Sequence, residues 1–172
     1  MKSILLSLII AIPFFGLSQD IDKEAFHADI VTLYQTGMKT FKPLIDGEGK
    51  IGSNGNTTYA SSLKLNGAES VEIDVDAEAS HTYIARYTFK NVRDSKAKLE
   101  EVSNMILEAT QEFGLTKETR TDIGYVGYQK HVIEFPADNI DDMGKHTSFS
   151  VGLTKDGNPM SLEIVASEIL WK

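Results

Sequence analysis

Only two stretches of this chain repeat apolar residues at helical spacing, and most of what lies between and after them alternates with a period of two. From Asp22 to Lys42, the residues Phe26, Ile30, Leu33, Gly37 and Phe41 recur at steps of three and four, with Tyr34 and Met38 beside the same stripe. The spacing predicts an amphipathic helix, capped by Asp20 or Asp22, aided at its positive end by Glu24 and stopped by Pro43. Gly37 within the stripe predicts a close approach to another element. A second helix follows from Leu99, Val102, Ile106, Ala109 and Phe113, capped by Asp94 or Ser95 and closed by Gly114.

Elsewhere the period is two. Tyr59, Ser61, Leu63 and Leu65 alternate with polar neighbours, Asn66-Gly67 supplies the two positive-φ residues of a tight turn, and Val71, Ile73, Val75 and Ala77 return between Glu72, Asp74, Asp76 and Glu78. His81 to Lys90 sets Tyr83, Ala85, Tyr87 and Phe89 on one side, with Ile84 the one apolar residue on the other. Thr119 to Phe135 is too long for one ordinary strand, and Gly124 and Gly127 predict a bend or bulge inside it. Phe149 to Thr154 and Met160 to Ala166 form a second hairpin about Asp156-Gly157, while Asp46 to Asn56, with four glycines, is expected as a flexible loop.

The order α-β-β-β-α-β-β-β, without βαβ alternation, predicts an α+β domain: an antiparallel sheet of about six strands with two helices packed on one face. Such a sheet leaves its other face to water or to a partner. A helix followed by about three strands, twice over, suggests a pseudo-symmetric topology, although no residues match between the halves at a fixed period.

The first segment reads as an export signal: Lys2, an apolar run from Ile4 to Phe15, and the small-x-small pattern Gly16-Leu17-Ser18. Residues 1–18 are therefore expected to be cleaved, leaving a single domain over 19–172 in the periplasm or outside the cell, with no membrane span in the mature chain. The chain has no cysteine, which excludes disulfides, thiolate metal sites and a cysteine nucleophile. Without the leader, 16 basic and 25 acidic side chains remain, a formal charge of −9 that argues against nucleic acid and anionic lipid.

Motifs that carry chemistry are few. Gly47 to Gly52 matches G-x-G-x-x-G, but it follows a helix and precedes a strand, the reverse of what a pyrophosphate site needs. Asp138, Asp141, Asp142 and His146 gather hard ligands in one segment, yet their spacing is not that of a calcium loop, so they read as a polar connection. The row Glu72, Asp74, Asp76, Glu78 places neighbouring carboxylates about 6.7 Å apart on a strand, too far to share one ion, and predicts a solvated face near a sheet edge. The four histidines show no zinc spacing, and His131 shares parity with Ile133 and Phe135, the pattern of a histidine at the margin of the core. No nucleophile elbow occurs, so no catalytic residue, metal or cofactor is assigned.

Tyrosines recur on the predicted strands at 59, 83, 87, 125 and 128. Tyr83, Tyr87 and Tyr125 are accordingly the candidate ligand-binding residues, as aromatic walls of a groove. The leading expectation is an exported, non-catalytic binding domain that uses a sheet face or sheet-helix groove for a protein, peptide or small apolar ligand. The alternatives are a carboxylate-dependent extracytoplasmic hydrolase, marked by facing carboxylates or a carboxylate-histidine pair in one cleft, and an assembly protein using the apolar end Ile164 to Trp171.

Overall fold

The structure, a computed structural model, describes residues 21–89, 92–136, 145–154 and 160–170. The leader, the acidic residues Asp138, Asp141 and Asp142, the Asp156-Gly157 turn and Trp171 lie outside the described residues. The elements are α1 (Lys23–Gly37), β1 (Ile45–Ile51), β2 (Thr57–Ser61), β3 (Ser70–Val75), β4 (His81–Phe89), α2 (Val92–Thr110), β5 (Thr116–Thr121), β6 (Tyr125–Glu134), β7 (Lys145–Thr154) and β8 (Met160–Leu170). Short 3₁₀ turns follow each helix.

All eight strands form one antiparallel sheet in the order β1-β2-β3-β4-β8-β7-β6-β5. Each helix is thus followed by a four-stranded meander, and the two meanders join through their last strands, β4 and β8. The α+β class and the repeated topology match the periodicity, but the sheet has eight strands rather than about six.

Both extra strands have physical causes. The glycine-rich segment is not a free loop, because its first part pairs with β2 as edge strand β1. Gly47 absorbs a bulge there at φ +72°, and Gly49 leaves room for Tyr59, whose ring atoms would lie 2.6 and 2.7 Å from an added Cβ. The long β-rich stretch divides at Asp122, whose carboxylate accepts the Gly124 amide at 2.9 Å and turns the chain between β5 and β6.

The helices pack as their stripes require. Asp22 caps α1 by accepting the Ala25 amide at 2.9 Å, and Phe26, Ile30 and Leu33 are fully buried. The helix ends at Gly37 rather than at Lys42, because Phe41 folds back over that glycine, where a Cβ would meet ring atoms at 2.5 and 2.6 Å as well as the Thr147 hydroxyl. In α2, Val102, Ile106 and Ala109 are buried, and Gly114 in the left-handed region turns the chain towards β5.

One face of the sheet carries both helices. Tyr34 of α1 stacks near Phe149 and receives the Thr147 hydroxyl at its carbonyl; Ser103 of α2 meets His131, which pairs with Val151. Thr147, Phe149, Val151 and His131 share one face, so α1 and α2 lie on the same side. Over β3 and β4 that side is closed by residues 62–69 instead of a helix. The expected tight turn at Asn66-Gly67 forms, closed by the Ala68 amide donating to the Leu65 carbonyl at 3.0 Å. It does not join the two strands as a hairpin: β2 ends at Ser61, and of the two residues only Gly67 has positive φ. Leu65, fully buried, draws the connection down onto the core.

The C-terminal strand β8 is paired on both sides, by β4 and β7, so its backbone offers no edge for self-association. Among the described residues no helix is long and apolar enough to cross a membrane.

Candidate functional site

Strand register decides which side chains meet on the face opposite the helices. Across β3, β4, β8, β7, β6 and β5 one row reads Glu72, Ile84, Val165, Ser150, Val132, Glu118. The next row reads Ser70, Arg86, Glu163, Gly152, Lys130, Arg120. Three branched apolar side chains therefore lie along the middle of the helix-free face, beside a row of charges.

Those charges are held in place. Arg86 reaches back to Glu72, with Nη1 2.6 Å from Oε1, and across the seam between the two meanders to Glu163, with Nε 3.1 Å from Oε2. Burial disfavours the guanidinium charge, but the two glutamates outweigh that cost and raise its pKa. Arg120 pairs with both Glu118 and Glu134, and Lys130 lies 2.9 Å from Asp122. Asp74 accepts from Asn56 Nδ2 at 2.6 Å and Thr58 Oγ1 at 3.0 Å.

Tyr125 lies across this face. Its ring takes the space above Gly152, where an added Cβ would meet three ring atoms, the farthest of them at 2.7 Å. Its hydroxyl donates to Glu163 Oε1 at 3.4 Å, and burial, with Glu163 adding to it, pushes the phenol up to about 12.

The three candidate tyrosines do not converge. Tyr83 and Tyr87 are fully buried on the helix side, where their hydroxyls donate to the carbonyls of Leu63 at 3.0 Å and Asn66 at 3.1 Å, and burial raises both phenols. They fasten the 62–69 connection to the core and present no surface to a ligand. Tyr125 alone is on the open face.

The acidic row also divides. Glu72 and Asp74 stand on β3, but Asp76 lies beyond it and turns the chain by accepting the amides of Glu78 and Ser80, each at 2.9 Å. Moreover, β3 is paired on both sides, so the expected place near a sheet edge is corrected. Its carboxylates knit neighbouring strands together rather than guarding an edge.

His131 is buried as its parity predicts, with Nδ1 2.9 Å from Ser103 Oγ and Nε2 3.4 Å from Glu100. Burial lowers its pKa, opposed by Glu100. The set resembles a nucleophilic triad in composition only: Ser103 is fully buried and donates to the Leu99 carbonyl at 2.7 Å, out of reach of a substrate. Among the described residues no three His, Asp or Glu converge as a metal site.

The residues of the open face that periodicity did not single out are Arg86, Glu163, Val165 and Val132. A signal for two of its members was present: Ile84 breaks the alternation of β4, and Val165 breaks that of β8. Their apolar side chains on the polar side mark a face that is more than solvated. No protein-family model, curated protein or solved structure matches the chain.

Proposed function

We propose that this chain is an exported, non-catalytic binding domain whose helix-free sheet face takes a protein or peptide partner. Export is supported by the Lys2 and Ile4 to Phe15 leader. The observation that carries the reading is the pair of half-buried apolar side chains Ile84 and Val165, aligned on that face in one row with the buried Val132 and flanked by the Arg86, Arg120 and Lys130 ion pairs. An apolar centre with a polar rim is how protein interfaces are composed.

Size favours a macromolecule. Eight strands about 4.8 Å apart and about eight residues long on average make a face on the order of 1,000 Å², against the roughly 800 Å² that each partner contributes to a standard interface. Arg86, Arg120 and Lys130 are shared among five carboxylates, so the face keeps an excess of negative charge, which suits a partner surface that is neutral or mildly basic, held mainly by apolar contact.

Site-specific photocrosslinking in the producing cell tests the proposal. A photoreactive residue at Ile84 should give a discrete adduct, and the same residue at the exposed Ala97 on α2 should not. Identical adducts from both positions, or none from Ile84, would refute it.

A further inference from the structure

The sheet ends in two strands, β1 and β5, that each have a single neighbour among the described residues. An edge strand carries backbone amides and carbonyls that a further strand can take up, and proteins commonly block such edges with bulges, charge or proline. The two edges differ in this respect. In β1 the register slips between Asp46 and Lys50, Gly47 holds φ +72°, and the exposed Asp46, Glu48 and Lys50 follow at alternate positions. In β5 the register with β6 is unbroken, from Thr116 opposite Glu134 to Thr121 opposite Gln129. The strand has no proline, is rich in threonine and is exposed at every residue but Lys117.

The charges on β5 do not bar a neighbour. Lys117, on the helix side, turns back onto α2, with Nζ 3.2 Å from Glu100 Oε2 and 2.6 Å from Asn104 Oδ1. On the open side Arg120 is shared between Glu118 and Glu134, and Lys130 beside it pairs with Asp122. The strand itself therefore presents one acid and one base on its open side, two residues apart.

We infer that β5 pairs antiparallel with β5 of a second copy, about a two-fold axis at Thr119. Residues opposite one another in a pleated pair share a face, so the axis must pass through a residue and not between two. Within Thr116–Thr121, only axes at Glu118 and Thr119 overlap five residues of the strand. An axis at Glu118 sets two carboxylates directly opposite, which destabilises the pair. An axis at Thr119 sets each Glu118 opposite the second copy's Arg120, the two threonines opposite each other, and Lys117 opposite Thr121. The four open-side charges then alternate in sign both along and across the strands, with opposed Cβ atoms about 4.5–5.5 Å apart. Both copies keep their helices on the same side, so their open faces join into one surface. Five residues a side make a small interface, and the dimer is accordingly weak and reversible. The contact closes on itself, whereas β1 against β5 would run on into filaments.

A chain without cysteine makes the test clean. In the mature protein, Thr119→Cys should give a disulfide-linked dimer on mild oxidation. Thr121→Cys, on the same face but with its two copies about 13 Å apart along the strands, should not. Light scattering after size exclusion should show the wild type rising from monomer towards dimer, and no further, between about 10 µM and about 1 mM. Glu118→Lys and Arg120→Glu should each weaken the dimer about tenfold or more by setting like charges opposite, and an equimolar mixture of the two should restore it. If a charge variant fails to fold, the cysteine pair decides. A wild type that stays monomeric, equal crosslinking at both positions, masses beyond the dimer, or a mixture no better than the single variants would each overturn the inference.

Discussion

Replacing Gly152 with alanine tests the seat of Tyr125 on the open face. Gly152 is not among the residues with positive φ, so the backbone accepts alanine without strain. The new methyl would meet three ring atoms, the farthest at 2.7 Å, where carbon atoms rest about 3.5–4.0 Å apart. The ring must therefore move by about 1 Å or swing away, breaking its contacts with Glu163 and Ser150. Overpacking of this kind costs about 1–3 kcal/mol, offset by about 0.4–1 kcal/mol from the lower chain entropy of unfolded alanine. The net loss is about 0.5–2 kcal/mol, or a fall in Tm of about 2–6 °C for a domain of this size.

The assay is a double-mutant cycle by thermal or urea unfolding. In a Tyr125→Ala background the clash has no partner, so Gly152→Ala should become neutral or stabilising. A second readout is the phenol itself: with the ring displaced, its pKa should fall from about 12 towards the ordinary value near 10. In the wild type that raised pKa contributes stability fully present below about pH 10 and lost as pH rises through about 12. Equal costs of Gly152→Ala in both backgrounds would refute the packing argument.

Further outcomes follow from the same geometry. His131 and His146 are both held below the ordinary histidine range by burial, so the unfolded chain takes up protons first. Stability should be complete above about pH 6.5 and decline as pH falls through the lower folded values; a Tm that does not change between pH 7 and 5 would contradict this. Ser103→Ala strips His131 Nδ1 of its buried partner and should cost about 1–3 kcal/mol in urea unfolding. Arg86→Met leaves Glu72 and Glu163 without their cation and should cost about 1 kcal/mol, shrinking in high salt because the pair is partly exposed; a salt-independent loss would argue against the ion-pair account.

Much of this architecture is legible in the residues, and the rest fails for identifiable reasons. The stripes Phe26-Ile30-Leu33 and Val102-Ile106-Ala109 name the buried helix faces correctly, because helical periodicity is a local signal. Composition misled at the glycine-rich segment, since an edge strand needs only one neighbour and tolerates a bulge. At 62–69 the turn chemistry of Asn66-Gly67 held, but the apolar pull of Leu65 drew residues 62–65 out of the strand and onto the core. Parity shows that Tyr83 and Tyr87 share a face but not which face the helices choose, so they read equally well as groove or core. Arg86 and Glu163 are 77 residues apart, and their meeting depends on β4 pairing with β8, a long-range choice that no local pattern encodes.

The docking claim is tested most directly by methyl NMR of the mature protein with a soluble paramagnetic agent, before and after adding envelope extract from the producing cell. Ile51, 82% exposed at the end of β1, supplies an internal control. Partner binding should protect the methyls of Ile84 and Val165 while Ile51 and Met38 stay accessible. Unchanged accessibility at Ile84 and Val165, with new protection on the helix side at Met38, would contradict the assignment of the open sheet face as the binding surface.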